Sequence, residues 1–326
     1  MRKSPSWRWV VFAIQLLVVL VVLACVGRTA AGLWPQMRAL HWRLSPLLLA
    51  GALLAGVAGQ ALLVVGWRLA LRLVGADVPW QGAVTSQLLG QLAKYVPGKL
   101  LTLVGKGYLA ARAGASESQA VLAMFVEAAA QVTTSLAVGA VYIVAAAPSE
   151  RRLLPIAAAV VLASIAVLHP AILPRAVGFA LRLVGRKPVP LTYELRAVVP
   201  LAGCYLAFWG ATGLGVWLLG RGLGLDVPLV PILAGFCLSW AAGFLSFIFP
   251  GGLGVREAAF AELLGAAAGP GTAWSLALAS RGWMLVLELL GALFVWGLDL
   301  AKRPPSGQAA PPATASEVPS AHELVD

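Results

Sequence analysis

The chain has 326 residues, of which 60% are hydrophobic and 11% charged, whereas ordinary soluble domains are about half apolar and about a quarter charged. That balance excludes a water-soluble globular domain, and the apolar runs are long enough to cross roughly 30 Å of hydrocarbon, which takes about 20 helical residues. The formal net charge of +11 does not point to nucleic acid, because the basic residues stand in short clusters between apolar runs and so suit anionic lipid.

In chain order, spans are expected at 9–27, 47–71, 120–147, 153–168, 198–219 and 273–298. Arg2, Lys3 and Arg8 ahead of the first run also describe a signal peptide, with Thr29-Ala30-Ala31 as a weak cleavage site. The many apolar runs that follow favour a retained first span. Two further apolar stretches are interrupted, 82–112 by Lys94-Tyr95-Val96-Pro97-Gly98-Lys99 and 229–268 by Pro250-Gly251-Gly252. Proline lacks the N–H that a helix needs and glycine permits sharp turns, so each stretch reads as a hairpin of two short helices. The runs lack the period-two alternation of barrel strands. The expected fold class is therefore all-α, a polytopic helical membrane protein with about six full spans and two re-entrant hairpins. It occupies residues 1–302, and 303–326 form a tail whose composition cannot bury a core and which is expected to be disordered. No internal repeat stands out in the sequence.

Orientation follows from the basic clusters. Arg2, Lys3 and Arg8, then Arg68 and Arg72, then Arg175, Arg182, Arg186 and Lys187 share one side if the 82–112 hairpin enters and leaves from that side. Both termini are then cytoplasmic, and the 229–268 hairpin enters from the opposite face. Arg28, Arg38 and Arg43 run against this scheme. Opposed hairpins often hold a transport site at the bilayer midplane.

Non-helical backbone at membrane depth is tolerated only where it is buried in protein or lines a polar cavity, so both breaks are candidate sites. Gln87, Gln91 and Lys94 share a helix face that leads into Pro97-Gly98 and Lys99; the plainer reading is that the two lysines reach the headgroups. Ser116 to Gln119 reads as a capping box, and Glu127 and Gln131 share a face of the span it opens. Glu127 is expected either as a counter-ion for a hairpin cation or with a direct role in substrate or proton handling. In the second break, Gly251, Gly252 and Gly254 allow close approach to backbone N–H groups at a helix start, and Arg256 adds a fork suited to phosphate oxygens. Glu257, Arg281 and Glu288, with Glu262 available nearby, read as internal ion pairs or as part of the pathway.

Cys25, Cys204 and Cys237 fall inside spans, and no metal site or disulfide is expected. No soluble-enzyme motif is found, and Gly105-Lys106-Gly107-Tyr108-Leu109-Ala110 mimics a dinucleotide fingerprint without its strand context. No catalytic residue and no cofactor are expected.

Gln91-Leu92-Ala93-Lys94-Tyr95-Val96-Pro97-Gly98 and Pro250-Gly251-Gly252-Leu253-Gly254-Val255-Arg256-Glu257 resemble signatures of the lysylphosphatidylglycerol synthase transmembrane family, and Arg281 resembles that family's arginine in a late span. The family includes the flippase portion of the multiple peptide resistance factor, which moves aminoacylated phosphatidylglycerol between leaflets. No stretch of these 326 residues reads as the large soluble synthase domain, so only the translocation half of the family's activity is expected. The resemblance therefore implies a flippase-like translocase in the inner (plasma) membrane. Lys94, Tyr95, Pro97, Gly98, Lys99, Gly251, Gly252, Gly254 and Arg256 would bind a phospholipid or lipid-linked phosphate. Gln91, Glu127, Gln131, Glu257, Arg281 and Glu288 would serve as counter-charges or pathway. A secondary transporter of a soluble anion, a membrane-embedded lipid-phosphate enzyme and a non-transporting scaffold for a lipid-modifying enzyme partner remain open alternatives. The oligomeric state does not follow from the sequence.

Overall fold

The computed structural model describes residues 27–28, 31–92, 99–146, 154–183, 193–246 and 252–300, so the first expected span and the 303–326 tail lie outside the described residues. The described residues are helical without strands. In order they form α1 (Pro46–Leu73), α2 (Trp80–Leu92), α3 (Lys99–Arg112), α4 (Glu117–Ala146), α5 (Leu154–Val167) and α6 (Leu173–Leu183), then α7 (Val198–Gly222), α8 (Leu229–Leu245), α9 (Val255–Ala268) and α10 (Pro270–Leu300). Among them α1, α4, α7 and α10 are long and apolar enough to cross a membrane. The chain is an all-α polytopic membrane protein. The 153–168 run yields a helix of 14 residues, about 21 Å at 1.5 Å per residue and shorter than the hydrocarbon thickness. It ends in turns around His169 and Pro170.

The apolar exterior follows from the solvent these helices expect. On α10, Leu285, Val286, Leu289, Leu290, Leu293 and Phe294 are exposed while Met284, Leu287 and Glu288 are buried. The helix thus has one apolar outer face and one inner stripe that accepts a charge, the reverse of a soluble amphipathic helix. The amphipathic α6 differs, with exposed Arg175, Arg182 and Phe179 around buried Leu173.

Contrary to the sequence reading, the fold repeats itself. A long helix, two short helices and a long helix occur as α1–α4 and again as α7–α10. Both first turns are built alike. Gly75-Ala76-Asp77-Val78-Pro79 and Gly224-Leu225-Asp226-Val227-Pro228 have glycines at φ 75° and 83°, the left-handed region that closes a helix C-terminus. Ala76 N–H donates to the Leu71 carbonyl as Leu225 N–H does to Gly220. The Val78 carbonyl accepts from Arg68 Nε, and the Val227 carbonyl accepts from Trp217 Nε1. Each of these partners lies 149 positions from its counterpart.

The repeats are inverted. Helices α1 and α7 pack antiparallel, since Gly51 meets Leu218, Gly59 meets Thr212, Gly66 meets Tyr205 and Leu49 meets Gly222. Small residues permit this approach where no hydrophobic effect drives helices together. These contacts run from Leu49 and Gly222 to Gly66 and Tyr205 with Gly59 and Thr212 between them, so the two Gly-x-Asp-Val-Pro turns lie at opposite ends of the helix pair. Each closing span packs on the other repeat's hairpin, α4 on α8 through Gly139 and Leu238, and α10 on α2 through Gly291 and Leu88. The His41–Arg43 stretch sits on the second turn, with Arg43 N–H donating to Leu223, which puts these basic residues at the end opposite Arg72.

Candidate functional site

Two charged clusters occupy the interior, each joining the second arm of a hairpin to the long helix that follows it. In the first, the Lys106 ammonium of α3 pairs with the Glu127 carboxylate of α4, both side chains being buried. Gly90 makes room for it, because a Cβ there would lie 2.8 Å from Lys106 Cβ. The ammonium also stands 3.7 Å from the centre of the Trp67 ring, a cation–π contact that replaces part of its lost hydration. Ser86 accepts a hydrogen bond from Trp67 Nε1 at 2.9 Å. The other Glu127 oxygen accepts from Gln131 Nε2 at 3.3 Å, one helical turn on. The buried Tyr205 hydroxyl faces Glu127 and Gln131 without making a well-formed hydrogen bond.

The second cluster forms where α9 begins. Gly252 and Gly254 have φ of 66° and 80°. A Cβ on Gly252 would come within 2.8 Å of the Gly243 backbone, so this break needs glycine twice over. The Gly254 N–H donates to a Glu257 oxygen at 2.7 Å, a carboxylate in the first turn that also complements the helix dipole. The other Glu257 oxygen lies 3.6 Å from Arg281 Nε of α10, an ion pair without a hydrogen bond. Arg256 lays its guanidinium 4.6 Å from the centre of the Phe236 ring. Arg256, Glu257, Phe260, Ala277, Ser280 and Arg281 line a small cleft.

The structure thus places Gly252, Gly254, Arg256, Glu257 and Arg281 together, and Glu127 with Gln131 apart from them. Gln91 donates to Gln60 at 3.0 Å near the centre of the α1–α7 crossing, and Glu288 is buried two turns along α10 from Arg281. Lys94, Tyr95, Pro97, Gly98 and Gly251 lie outside the described residues; Lys99 opens α3. The Ser116–Gln119 capping box is present, each residue's backbone N–H donating to the other's side chain at 2.9 and 3.1 Å.

Two sequence readings gain detail. Arg281, read with Glu288 on one face and with Glu262 available, lies 3.6 Å from Glu257, and Glu262 is exposed. The cation that Glu127 meets is Lys106, read earlier only as part of a false dinucleotide fingerprint. A signal for it existed, since Lys106 stands mid-arm between Gly105 and Gly107, where a lysine cannot easily reach the headgroups.

Among the described residues, no group of His, Cys, Asp and Glu is placed to hold a metal ion. Cys204 and Cys237 are free, and Cys204 donates to the Leu62 carbonyl at 3.1 Å.

Comparison with curated proteins gives no match. The family model of the lysylphosphatidylglycerol synthase TM region matches residues 10–291, a stretch that contains the first repeat, the second as far as residue 291 of α10, and both charged clusters. The chain belongs to the lysylphosphatidylglycerol synthase TM-region family.

Proposed function

We propose that the protein is a lipid translocase of the plasma (inner) membrane. It binds the phosphate of a phospholipid or a lipid-linked phosphate between its two hairpins, with no catalytic step of its own and with both termini cytoplasmic. The observation that carries this reading is the cleft at the second break. There Arg256 and Arg281 line one small space with Glu257, just after the glycines that open α9, so two guanidinium groups border the place where Glu257 takes the Gly254 N–H.

The cleft has room for about one water molecule, so a headgroup enters only if the hairpin arm and α10 part. Glu257 holds the place of the anion, engaging both the Gly254 N–H and Arg281. A phosphate that displaces it satisfies the same donors with more oxygens. The acyl chains stay in the bilayer along the exposed apolar faces. Lys94, Lys99, Tyr95, Pro97, Gly98 and Gly251 belong to this reading as headgroup contacts at the two breaks. Gln91, Glu127, Gln131 and Glu288 belong to it as the polar lining and counter-charges.

The test is leaflet exchange of labelled phospholipids in liposomes carrying the purified protein, beside Arg256→Gln and empty liposomes. Loss of one charge-assisted contact worth about 2 kcal/mol should lower exchange about tenfold or more, with the variant still eluting as folded protein. Unchanged exchange in Arg256→Gln, or equal loss of folded protein and exchange, would count against this role. Anion uptake without lipid exchange would favour the soluble-anion transporter.

A further inference from the structure

The stretch between α4 and α7 has no counterpart in the second repeat, and α6 is its amphipathic part. Pro170 lacks the N–H that would carry α5 onward, and Pro174 suits a first helical turn, so α5 stops at Val167 and α6 starts anew at Leu173. The turn between them is held by the Ala171 N–H, which donates to His169 Nδ1 at 3.2 Å. With 11 residues, α6 is about 16 Å long and too short to cross the hydrocarbon.

Arg175 and Arg182 are the only charged residues of α6. They stand seven apart, within about 20° of each other around the axis, and Phe179 lies about 40° from Arg175. All three are exposed, Phe179 by 63%, while Leu173 and Gly178 are buried. In water this face would leave an aromatic ring bare beside two cations. At a headgroup boundary the ring enters the acyl region and the guanidinium groups meet phosphates. The other positions of the helix are Leu, Pro, Ala, Val and Gly, so nothing else on it calls for water.

The helix also sits at the right level. The Tyr193 hydroxyl donates to the Leu168 carbonyl just before α6, and the chain then enters α7 at Val198. Gly66 meets Tyr205, so Val198, seven residues earlier on an antiparallel helix, is level with Leu73 beside the Gly75 turn. Other arginines at that end also stand against exposed aromatic rings. Arg68 lies 4.2 Å from the centre of the Trp80 ring and Arg112 6.0 Å from that of Tyr108. Trp and Tyr with neighbouring arginines mark the boundary between hydrocarbon and headgroups.

We propose that α6 is an interfacial helix docked on an anionic lipid surface, with Phe179 among the acyl chains and Arg175 and Arg182 on headgroup phosphates. The occupant of this face is the membrane surface rather than a soluble protein, because the face is basic, presents a bare ring and is level with the Trp80 and Tyr108 boundary. The inference rests on the membrane-spanning fold and not on translocation, and it involves neither charged cluster of the interior.

The experiment places full-length protein without its native cysteines, carrying Phe179→Cys labelled with an environment-sensitive fluorophore, in phosphatidylcholine nanodiscs with or without phosphatidylglycerol. With phosphatidylglycerol, a lipid nitroxide at the headgroup boundary should quench the label more than one near the bilayer centre, and a neutral water-soluble quencher should reach it little. That access should rise in phosphatidylcholine alone and at high salt. Arg175→Gln with Arg182→Gln should lower the ratio of docked to undocked helix about fivefold for each arginine removed. Arg175→Lys with Arg182→Lys, which keeps the charge, should retain docking. Stronger quenching from the bilayer centre would overturn the proposal by making α6 part of a span. Equal access with and without phosphatidylglycerol would overturn it in favour of a water-facing surface open to a soluble partner. Equal losses in the Gln and Lys variants would assign the docking to packing and contradict the role of charge.

Discussion

Lys106 and Glu127 show what a buried ion pair demands. Removing one partner strands the other charge in a low-dielectric interior, at a cost of about 3–5 kcal/mol, whereas replacing both by apolar residues of similar volume is often close to neutral. Lys106→Met should therefore sharply lower the thermal unfolding temperature in detergent, and adding Glu127→Leu should restore most of it. A double variant no better than the single would mean that Trp67 and Gln131, and not the pairing, hold the cluster together. At these positions the sequence was legible in part. A Glu and a Gln four apart in an apolar run must share a helix face, and they do. That Glu257 approaches Arg281 while Glu262 does not follows from helix geometry, because five residues turn a helix by about 140°. Glu262 is thereby carried to the exposed side while Glu257 stays on the α10 face.

The hairpins were legible because proline and glycine punctuate backbone directly, and both breaks separate two short helices. Gly252 makes the sharper prediction. A Gly252→Ala variant needs an L-residue at φ 66° and a Cβ within 2.8 Å of the Gly243 backbone. We expect a loss of at least about 2 kcal/mol in denaturant titration; stability equal to that of the parent would show that the break relaxes freely. A milder tether lies between α5 and α7, where the Tyr193 hydroxyl donates to the Leu168 carbonyl at 2.6 Å. Burial pushes this hydroxyl up to about 12 from its ordinary value of 10.0. The unfolded chain releases the proton first, so the tether's contribution is complete below about pH 10 and is lost as pH rises through about 12. Tyr193→Phe should remove that step from a stability-against-pH curve, and an unaltered curve would assign the step to another group. The repeat escaped the sequence for a physical reason. Only the Gly-x-Asp-Val-Pro turns are fixed by backbone geometry. Packing positions in one repeat need not carry the residue that their counterparts carry in the other, and the clusters carry opposite signs at Glu127 and Arg281.

Across the molecule, the inverted repeats account for features that the separate elements do not. They explain why two hairpins of similar length exist, why each closing span packs on the other repeat's hairpin, and why basic residues near Arg43 lie at the far end from Arg72. Inverted repeats around a central crossing are a common architecture for moving a solute across a bilayer, with the sites at the repeat interface. The proposed translocation rests on this arrangement being set across a membrane, which the two matched turns can report. Asp77 and Asp226 occupy the same place in those turns, and both are exposed. In a variant without the three native cysteines, Asp77→Cys and Asp226→Cys, made separately, should react with a membrane-impermeant maleimide from opposite sides of sealed vesicles. Labelling of both from the same side would contradict the inverted arrangement and with it the basis of the proposed translocation.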